Sequence, residues 1–511
     1  MKRISGVTLR VGESEKALKS KILRLAKIRE SDGTYFRIVR KSLDARDKRD
    51  IKWVYTADVS ERFEEIPPAY LHADKPARVL VVGSGPAGLF SALYLARGGM
   101  KVTLIERGKS VDERAKDVSA FFSSGALNAE SNAQFGEGGA GTFSDGKLNT
   151  QVNNPLITRV LRDFVAFGAP EEVEYLYRPH VGSDRLPAVV KAIRNGIISL
   201  GGEVRFNEKL EDIRIENGRI ASVKLPRGGD FDEVVLAVGH SARDTFEMLF
   251  GRGVAMEKKA FAVGFRIEHP QELISRAQYG AYAPLLPPAD YKLVSHASDR
   301  SVFTFCMCPG GTVIPAASEE GGVVTNGMSN YLRNGTNANS AVVAEVRIED
   351  FPSGGALAGV EFQRALERKA FEAGGGNYSA PACTYADFTR KTGVNSTGTL
   401  VKPTYARGVT PYPLYGLLPE KLSLAIAAGI ADMDRRLKGF ADGGALLSGV
   451  ESRTSSPVRI VRGENFASVS AENLYPCGEG AGYAGGITSA AADGIRVAEA
   501  IIKKYKTADK A

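Results

Sequence analysis

The chain has 511 residues, of which 43% are hydrophobic and 25% charged, and its formal net charge is +8. This is ordinary globular composition with room for two to four domains, and no apolar run reaches the roughly 18 residues that a membrane-spanning helix needs. Only four cysteines (Cys306, Cys308, Cys383 and Cys477) are present, which excludes a disulfide framework.

The N-terminus "MKRISGVTLRVGE" is basic but lacks a secretory apolar core, so a cytoplasmic location is expected. Residues 1–60 hold sixteen Lys and Arg against eight Asp and Glu, whereas the other 451 residues hold 51 of each. The whole surplus therefore lies in one segment. That segment reads as a small basic α+β domain. "ISGVTLRV" alternates like a strand. "SEKALKSKILRLAKIR" is an amphipathic helix with Leu18, Ile22, Leu25 and Ile28 on one face, and "TYFRIVRKSLD" and "DIKWVYTADV" read as two more strands. Its basic character fits either a solvated lysine-rich helix beside a larger core or an electrostatic footprint for RNA or another partner, although no nucleic-acid-binding signature accompanies it. A proline-containing linker is expected over 61–76.

Residues 77–250 begin with "RVLVVGSGPAGLFSALYLARGGMKVTLIERG". A continuous apolar strand runs into Gly83, Gly85 and Gly88, which make G-x-G-x-x-G. A helix with Leu89, Ala92, Leu93 and Ala96 on one face follows, and a second strand ends at Glu106. This strand–turn–helix–strand context is what dinucleotide binding requires of the motif. Expected contacts are Gly83, Gly85, Pro86, Ala87, Gly88, Glu106 and Arg107, with Glu106 accepting from an adenosine ribose. "FDEVVLAVGHSA" supplies a further strand whose end, Ala237-Val238-Gly239, closes over the dinucleotide at Gly239.

Residues 251–440 are rich in strand-like runs ("KAFAVGFRIEH", "SVFTFCMCPGGTVIPA", "GGVVTNGMS") and read as an inserted β-rich substrate domain. Residues 441–511 return to the first fold. There "YPCGEGAGYAGGITSAAADG" opens a helix with Ile495, Val497, Ala498, Ile501 and Ile502 on one face. A glycine-rich turn at a helix N-terminus presents free N–H groups and partial positive charge. With a dinucleotide fold at one end of the core and this turn at the other, the expected cofactor is FAD. Gly478-Glu479 stands where a Gly-Asp pair usually holds the ribityl chain. The N–H groups around Gly485, Gly486 and Ile487 then face the N1–C2=O edge of the flavin. The fold class is therefore α/β: a Rossmann-like FAD-binding domain, interrupted by a β-rich domain and preceded by the small α+β domain.

Taken together, "GEGGAGTFSDGKLNT" (136–150), "RPHVGSDRL" (178–186), "LAVGHSARDTFEML" (236–249), "KAFAVGFRIEHP" (259–270), "FTFCMCPGGTVIPAASEEGGVVTNGMS" (303–329) and "GVESRTSSPVRI" (449–460) resemble a family of bacterial-type FAD-dependent dehydrogenases that is also seen in plants. The resemblance runs through most of 77–505 in order. It implies bound FAD and a dehydrogenase or reductase acting on a small molecule, and it supplies no substrate. In related flavoproteins the segment after the second strand runs along the pyrophosphate and ribityl groups, which brings in Gly138, Gly139, Asp145 and Lys147. Lys147 is left open between a pyrophosphate contact, a place near flavin N1 or N5, and a solvated turn.

Other candidates are weaker. His180 and His240 are possible proton donors, and Arg453 and Arg459 possible anion holders. Cys306 and Cys308, two apart on a strand, point to one side and read as inert packing, as does Cys477. The absence of C-x-x-C weighs against the disulfide-reductase branch of flavoproteins. No cysteine–histidine cluster has metal-ligand spacing. With no second complete dinucleotide motif, NAD(P)H would dock only transiently.

Overall fold

The computed structural model describes residues 1–28, 35–60, 62–63, 69–150, 154–352, 354–391, 393–394 and 398–507. Part of the expected linker, residues 61 and 64–68, lies outside them. Among the described residues no helix is long and apolar enough to cross a membrane.

The α/β expectation holds. A five-stranded, all-parallel sheet takes the order Leu474–Pro476, Glu233–Leu236, Arg78–Val82, Lys101–Ile105, Glu203–Arg205. Val79, Leu80, Val81 and Val82 are buried, as a central parallel strand covered on both faces must be. Gly83, with φ +99°, turns the chain from that strand, and a Cβ there would stand 2.5 Å from the Ala237 carbonyl oxygen. The helix Pro86–Arg97 follows, with proline at its first position where the missing N–H is harmless. A Cβ on Gly88 would stand 1.8 Å from the Gly83 carbonyl oxygen, so glycine sets the helix-to-strand distance. The last helix, Ile487–Lys504, lies against Pro86–Arg97. A Cβ on Gly494 would be 2.2 Å from the Ala87 carbonyl oxygen. Its buried face is Ile495, Val497, Ala498, Ile501 and Ile502, and each of the larger side chains contributes about 1.5–3 kcal/mol by burial.

A seven-stranded sheet forms the second core, in the order Val294–Ser295, Val302–Cys308, Asn337–Val346, Phe261–Pro270, Leu446–Glu451, Ala380–Thr384, Val409–Pro411. All neighbours are antiparallel except the last pair. Helix Glu420–Met433 packs on it through Leu422, Ile426, Ile430 and Met433. Leu446–Glu451 sits inside this sheet, although the sequence reading ended the inserted domain at 440. The β-rich segment recruits a strand from beyond that boundary, because Ile267 and Glu268 pair with Leu447 and Leu446. Register also breaks in Val302–Cys308, between Phe305 and Cys308.

Residues 1–60 form a three-stranded antiparallel sheet, order Lys2–Arg10, Lys52–Ser60, Tyr35–Asp44, with helix Glu15–Ala26 across it. Ser14 caps the helix by accepting from the Ala17 N–H. Its buried side is Leu18, Ile22, Leu23 and Ala26, while Leu25 is 51% exposed. The face is thus rotated from the one expected: Leu23 and Ala26, not Leu25, meet Val7, Leu9 and Tyr55 of the sheet. Many of the basic residues sit in local ion pairs, Arg3 with Asp58, Arg46 with Asp44, Arg49 with Asp47 and Lys52 with Asp50. The unit joins the larger body by main-chain bonds, Lys41 N–H to Tyr175 O at 2.7 Å and Tyr177 N–H to Lys41 O at 2.9 Å.

Candidate functional site

A cleft runs between the two sheets. Gly83, Gly85, Pro86, Ala87, Glu106, Arg107, Gly139, Asp145, Lys147, Gly239, Glu479, Gly485, Gly486 and Ile487 all line it. Segments some 400 residues apart in the chain are thereby brought to one surface. Three expected residues, Gly88, Gly138 and Gly478, lie behind it and serve packing. A Cβ on Gly138 would stand 2.1 Å from Thr142 Oγ1, and one on Gly478 would stand 2.6 Å from Ala87 Cβ.

Two helices begin at the cleft without a side-chain cap. Pro86–Arg97 has Gly85 at its N-cap, and Ile487–Lys504 has Gly486 there at φ +135°, a conformation that favours glycine. Their first-turn N–H groups are left for a ligand.

Glu106 is arranged differently from the expectation. One carboxylate oxygen accepts from the Ser84 N–H (2.9 Å) and hydroxyl (2.8 Å), and the other from the N–H groups of Gly108 (2.9 Å) and Gly136 (3.1 Å). Four protein donors meet the two carboxylate oxygens, so Glu106 ties three loops together at the wall of the cleft. Arg107 is likewise committed, holding Asp244 in a fork at 2.8 and 2.9 Å, pairing with Glu130 and lying 4.3 Å from the Phe135 ring centre.

Arg114, which nothing in the local sequence singles out, anchors the glycine-rich loop. Its buried guanidinium donates to the carbonyls of Asn132, Gly136, Glu137 and Gly139. Burial draws its pKa down to about 10. The loop is thereby held against Gly85, where a Cβ on Gly139 would stand 3.1 Å from Gly85 Cα.

Asp145 accepts from Ser329 and from both Arg333 branches, at 3.0 and 2.5 Å. Burial pushes its pKa up, but Lys147 and Arg333 outweigh that and hold it below the usual range. Lys147 Nζ is 3.4 Å from Asp145 and is itself buried without a hydrogen-bond partner among the described residues. That is not a solvated turn lysine.

Of the two histidines only His240 reaches the cleft. His180 bonds to the Tyr331 carbonyl at 2.9 Å and stacks on its ring. Burial, followed by Arg453 and Arg243, lowers the pKa of His240 to about 3, and its Nε2 has no partner among the described residues. Glu479 lies beside it with its pKa raised to about 7, because burial outweighs the attraction of Lys259. Arg453 lines the cleft but is bound to Glu367 (3.0 and 2.8 Å) and Ser318. Arg243 grips the same Glu367 at 2.7 and 2.8 Å. Arg459 lies over Tyr483. Arg453 is therefore not a free anion holder, and Arg459 is exposed and does not line the cleft.

Cys306 departs from the inert strand cysteine expected. The broken register and a left-handed φ of +46° put it on the cleft wall. Cys308, Cys383 and Cys477 are buried. Among the described residues no group of three potential metal ligands occurs.

Family models match in order along the chain. A domain of unknown function covers 1–60, a pyridine nucleotide-disulphide oxidoreductase model 77–272, and the C-terminal domain-like model of FAD-dependent proteins 260–454. An "uncharacterized protein" of Clostridium beijerinckii is 45% identical over 528 residues, covering 98% of this chain and 99% of the relative. Solved structures that this chain is similar to include the flavin-dependent brominase Bmp2 (14% identity, 84% of this chain and 80% of that one, TM-score 0.38). Another is a geranylgeranyl bacteriochlorophyll reductase-like protein of Thermoplasma acidophilum (13% identity, 84% and 80%, TM-score 0.37). The chain belongs to the bacterial-type family of FAD-dependent oxidoreductases, and FAD is its cofactor.

Proposed function

We infer that the cleft seats FAD with its pyrophosphate at the start of helix Pro86–Arg97 and its isoalloxazine edge at the start of helix Ile487–Lys504, and that a small-molecule substrate exchanges a hydride equivalent with it. The observation that carries this reading is the pair of uncapped helix N-termini opening on one cleft. The fit is also steric. Gly83 and Gly139 keep the wall free of side chains where a Cβ would collide with backbone, and around Gly485 and Gly486 a Cβ would meet nothing within 4 Å.

When bound, FAD supplies the hydride chemistry, and the chain supplies position and charge. Arg114 and Glu106 hold the glycine-rich loops in a fixed shape from behind. The first-turn N–H groups of Ile487–Lys504 favour negative charge at their end of the cleft. His240, neutral at pH 7, and Glu479, titrating near 7, can hold or pass a proton there. Lys147 adds a buried positive charge. A nicotinamide donor, if one is used, docks transiently at the same end. The test is chromatography of the flavin released on heating: stoichiometric FAD supports the reading, while FMN or a colourless chain that takes up no FAD contradicts it.

A further inference from the structure

The stretch 77–272 that matches the pyridine nucleotide-disulphide oxidoreductase model contains no cysteine. The cleft nevertheless carries a thiol, and it comes from the other sheet. In a regular strand the Cα atoms of Cys306 and Cys308 would be about 6.6 Å apart with parallel side chains. Here the strand is broken at that point. Left-handed Cys306 lines the cleft, and the Cys308 thiol folds back on it, donating to the Cys306 carbonyl at 3.3 Å.

The surroundings favour one negative charge on the pair. Fully buried Arg266 donates to the Cys306 carbonyl at 2.8 Å, and the Lys147 ammonium, paired with Asp145 at 3.4 Å, is a second positive charge acting on Cys306. The neighbouring Cys308 thiol, with Arg266 and Lys147, draws the Cys306 thiol below the ordinary thiol range against burial and Asp145. The same coupling, with burial, pushes Cys308 up. The remaining carboxyls that face Cys306 are Glu451, paired with Arg266 at 3.0 Å, and Glu479, raised to about 7. A low-pKa, accessible thiolate with a second thiol behind it is the arrangement of an attacking and a resolving sulfur.

Resting on the reading that this cleft seats FAD, we propose that Cys306 and Cys308 form a dithiol–disulfide centre that exchanges two electrons with the flavin, with a small disulfide or thiol compound as the outside partner. In the oxidising direction the Cys306–Cys308 S–S bond forms and the Cys308 S–H bond breaks. That proton and two electrons pass to oxidised FAD, so the thiolate charge ends on the reduced flavin. In the reducing direction the Cys306 thiolate attacks an outside disulfide and expels one thiolate. Cys308 then resolves the mixed disulfide, and its proton leaves with the second thiol.

The test uses the FAD-loaded full chain. Iodoacetamide at pH 6 should label Cys306 about tenfold faster than an ordinary exposed thiol, its greater thiolate fraction being partly offset by lower nucleophilicity. After ferricyanide oxidation, the peptide 301–333 should be lighter by two hydrogen atoms and refuse alkylation when denatured. Anaerobic dithionite titration should then consume two electrons beyond those of the flavin. The excess should vanish in Cys306→Ser and Cys308→Ser and persist in Cys383→Ser. The wild-type mass and titration decide the matter even if a serine variant misfolds. If oxidised protein takes up only the flavin's electrons and both thiols remain alkylatable, the dithiol centre is wrong and the flavin reading stands. A folded chain that binds no FAD overturns both.

Discussion

His240 Nδ1 stands 3.9 Å from a carboxylate oxygen of Glu479, one residue beyond the A-V-G strand end and the other in the C-terminal glycine turn. At that separation, and with the imidazole neutral, the two are not an ion pair. They are a half-buried acid and a half-buried base whose proton affinities are moved in opposite senses. The folded pKa of Glu479, about 7, lies above the ordinary 4.5. The folded chain therefore keeps a proton that the unfolded chain loses. The stability tied to that proton is fully present below pH 4.5 and is lost as pH rises through 7. In the apoprotein, Glu479→Gln should be more stable than wild type by up to about 3 kcal/mol at pH 9, with the difference fading as pH falls from 7 and gone below pH 4.5. Urea unfolding across this range measures it, and a pH-independent difference would show that Glu479 does not titrate near 7.

Glu106 yields a second expectation. Because its carboxylate holds the N–H groups of Ser84, Gly108 and Gly136, Glu106→Ala strands buried donors. Each costs about 1–3 kcal/mol, so the cofactor-free protein itself should lose about 3–9 kcal/mol of stability. A carboxylate that served only a ribose would leave the cofactor-free protein unchanged. Denaturant midpoints of the two apoproteins distinguish these roles.

No described residue of 1–60 lines the cleft. Deleting 1–60 should leave FAD bound at wild-type stoichiometry, read as flavin absorbance per folded chain. The loss of the two Lys41 main-chain bonds should lower stability by about 1–3 kcal/mol. A folded, soluble truncation without flavin would show that the module belongs to the cofactor site.

Much of this site was legible in the sequence because its framework is local. Gly83-x-Gly85-x-x-Gly88 with its flanking strands, Ala237-Val238-Gly239, and the turn into Ile487–Lys504 are contiguous patterns whose backbone demands are written in residue type. What surrounds them was not legible. Arg114 reaches back over four carbonyls of a loop 18 to 25 residues away. Arg333 comes from a segment 188 residues beyond Asp145. The kink that turns Cys306 into the cleft has no local signal, since a left-handed cysteine is a conformation the strand pattern argues against. Glu106 shows the converse: the motif singles the residue out, but only the three-dimensional arrangement reveals that it also holds the N–H groups of Ser84, Gly108 and Gly136. Leu446–Glu451, which lies beyond the expected end of the inserted domain at 440, is likewise claimed by pairing across the sheet and not by its own sequence.

The most direct test of the account is the reduction potential of FAD bound to Gly485→Val. A Cβ at 485 meets nothing within 4 Å, so the variant should fold, and its side chain would occupy space that the account gives to the isoalloxazine edge. A lost N–H contact to the anionic reduced flavin is worth about 1.5–3 kcal/mol. At about 30 mV per 1.4 kcal/mol for a two-electron couple, the potential should fall by about 30–60 mV, and FAD should bind about 10–100-fold more weakly. Wild-type potential and affinity in this variant would mean that the turn does not face the flavin, and the placement of the active end of the cleft would be wrong.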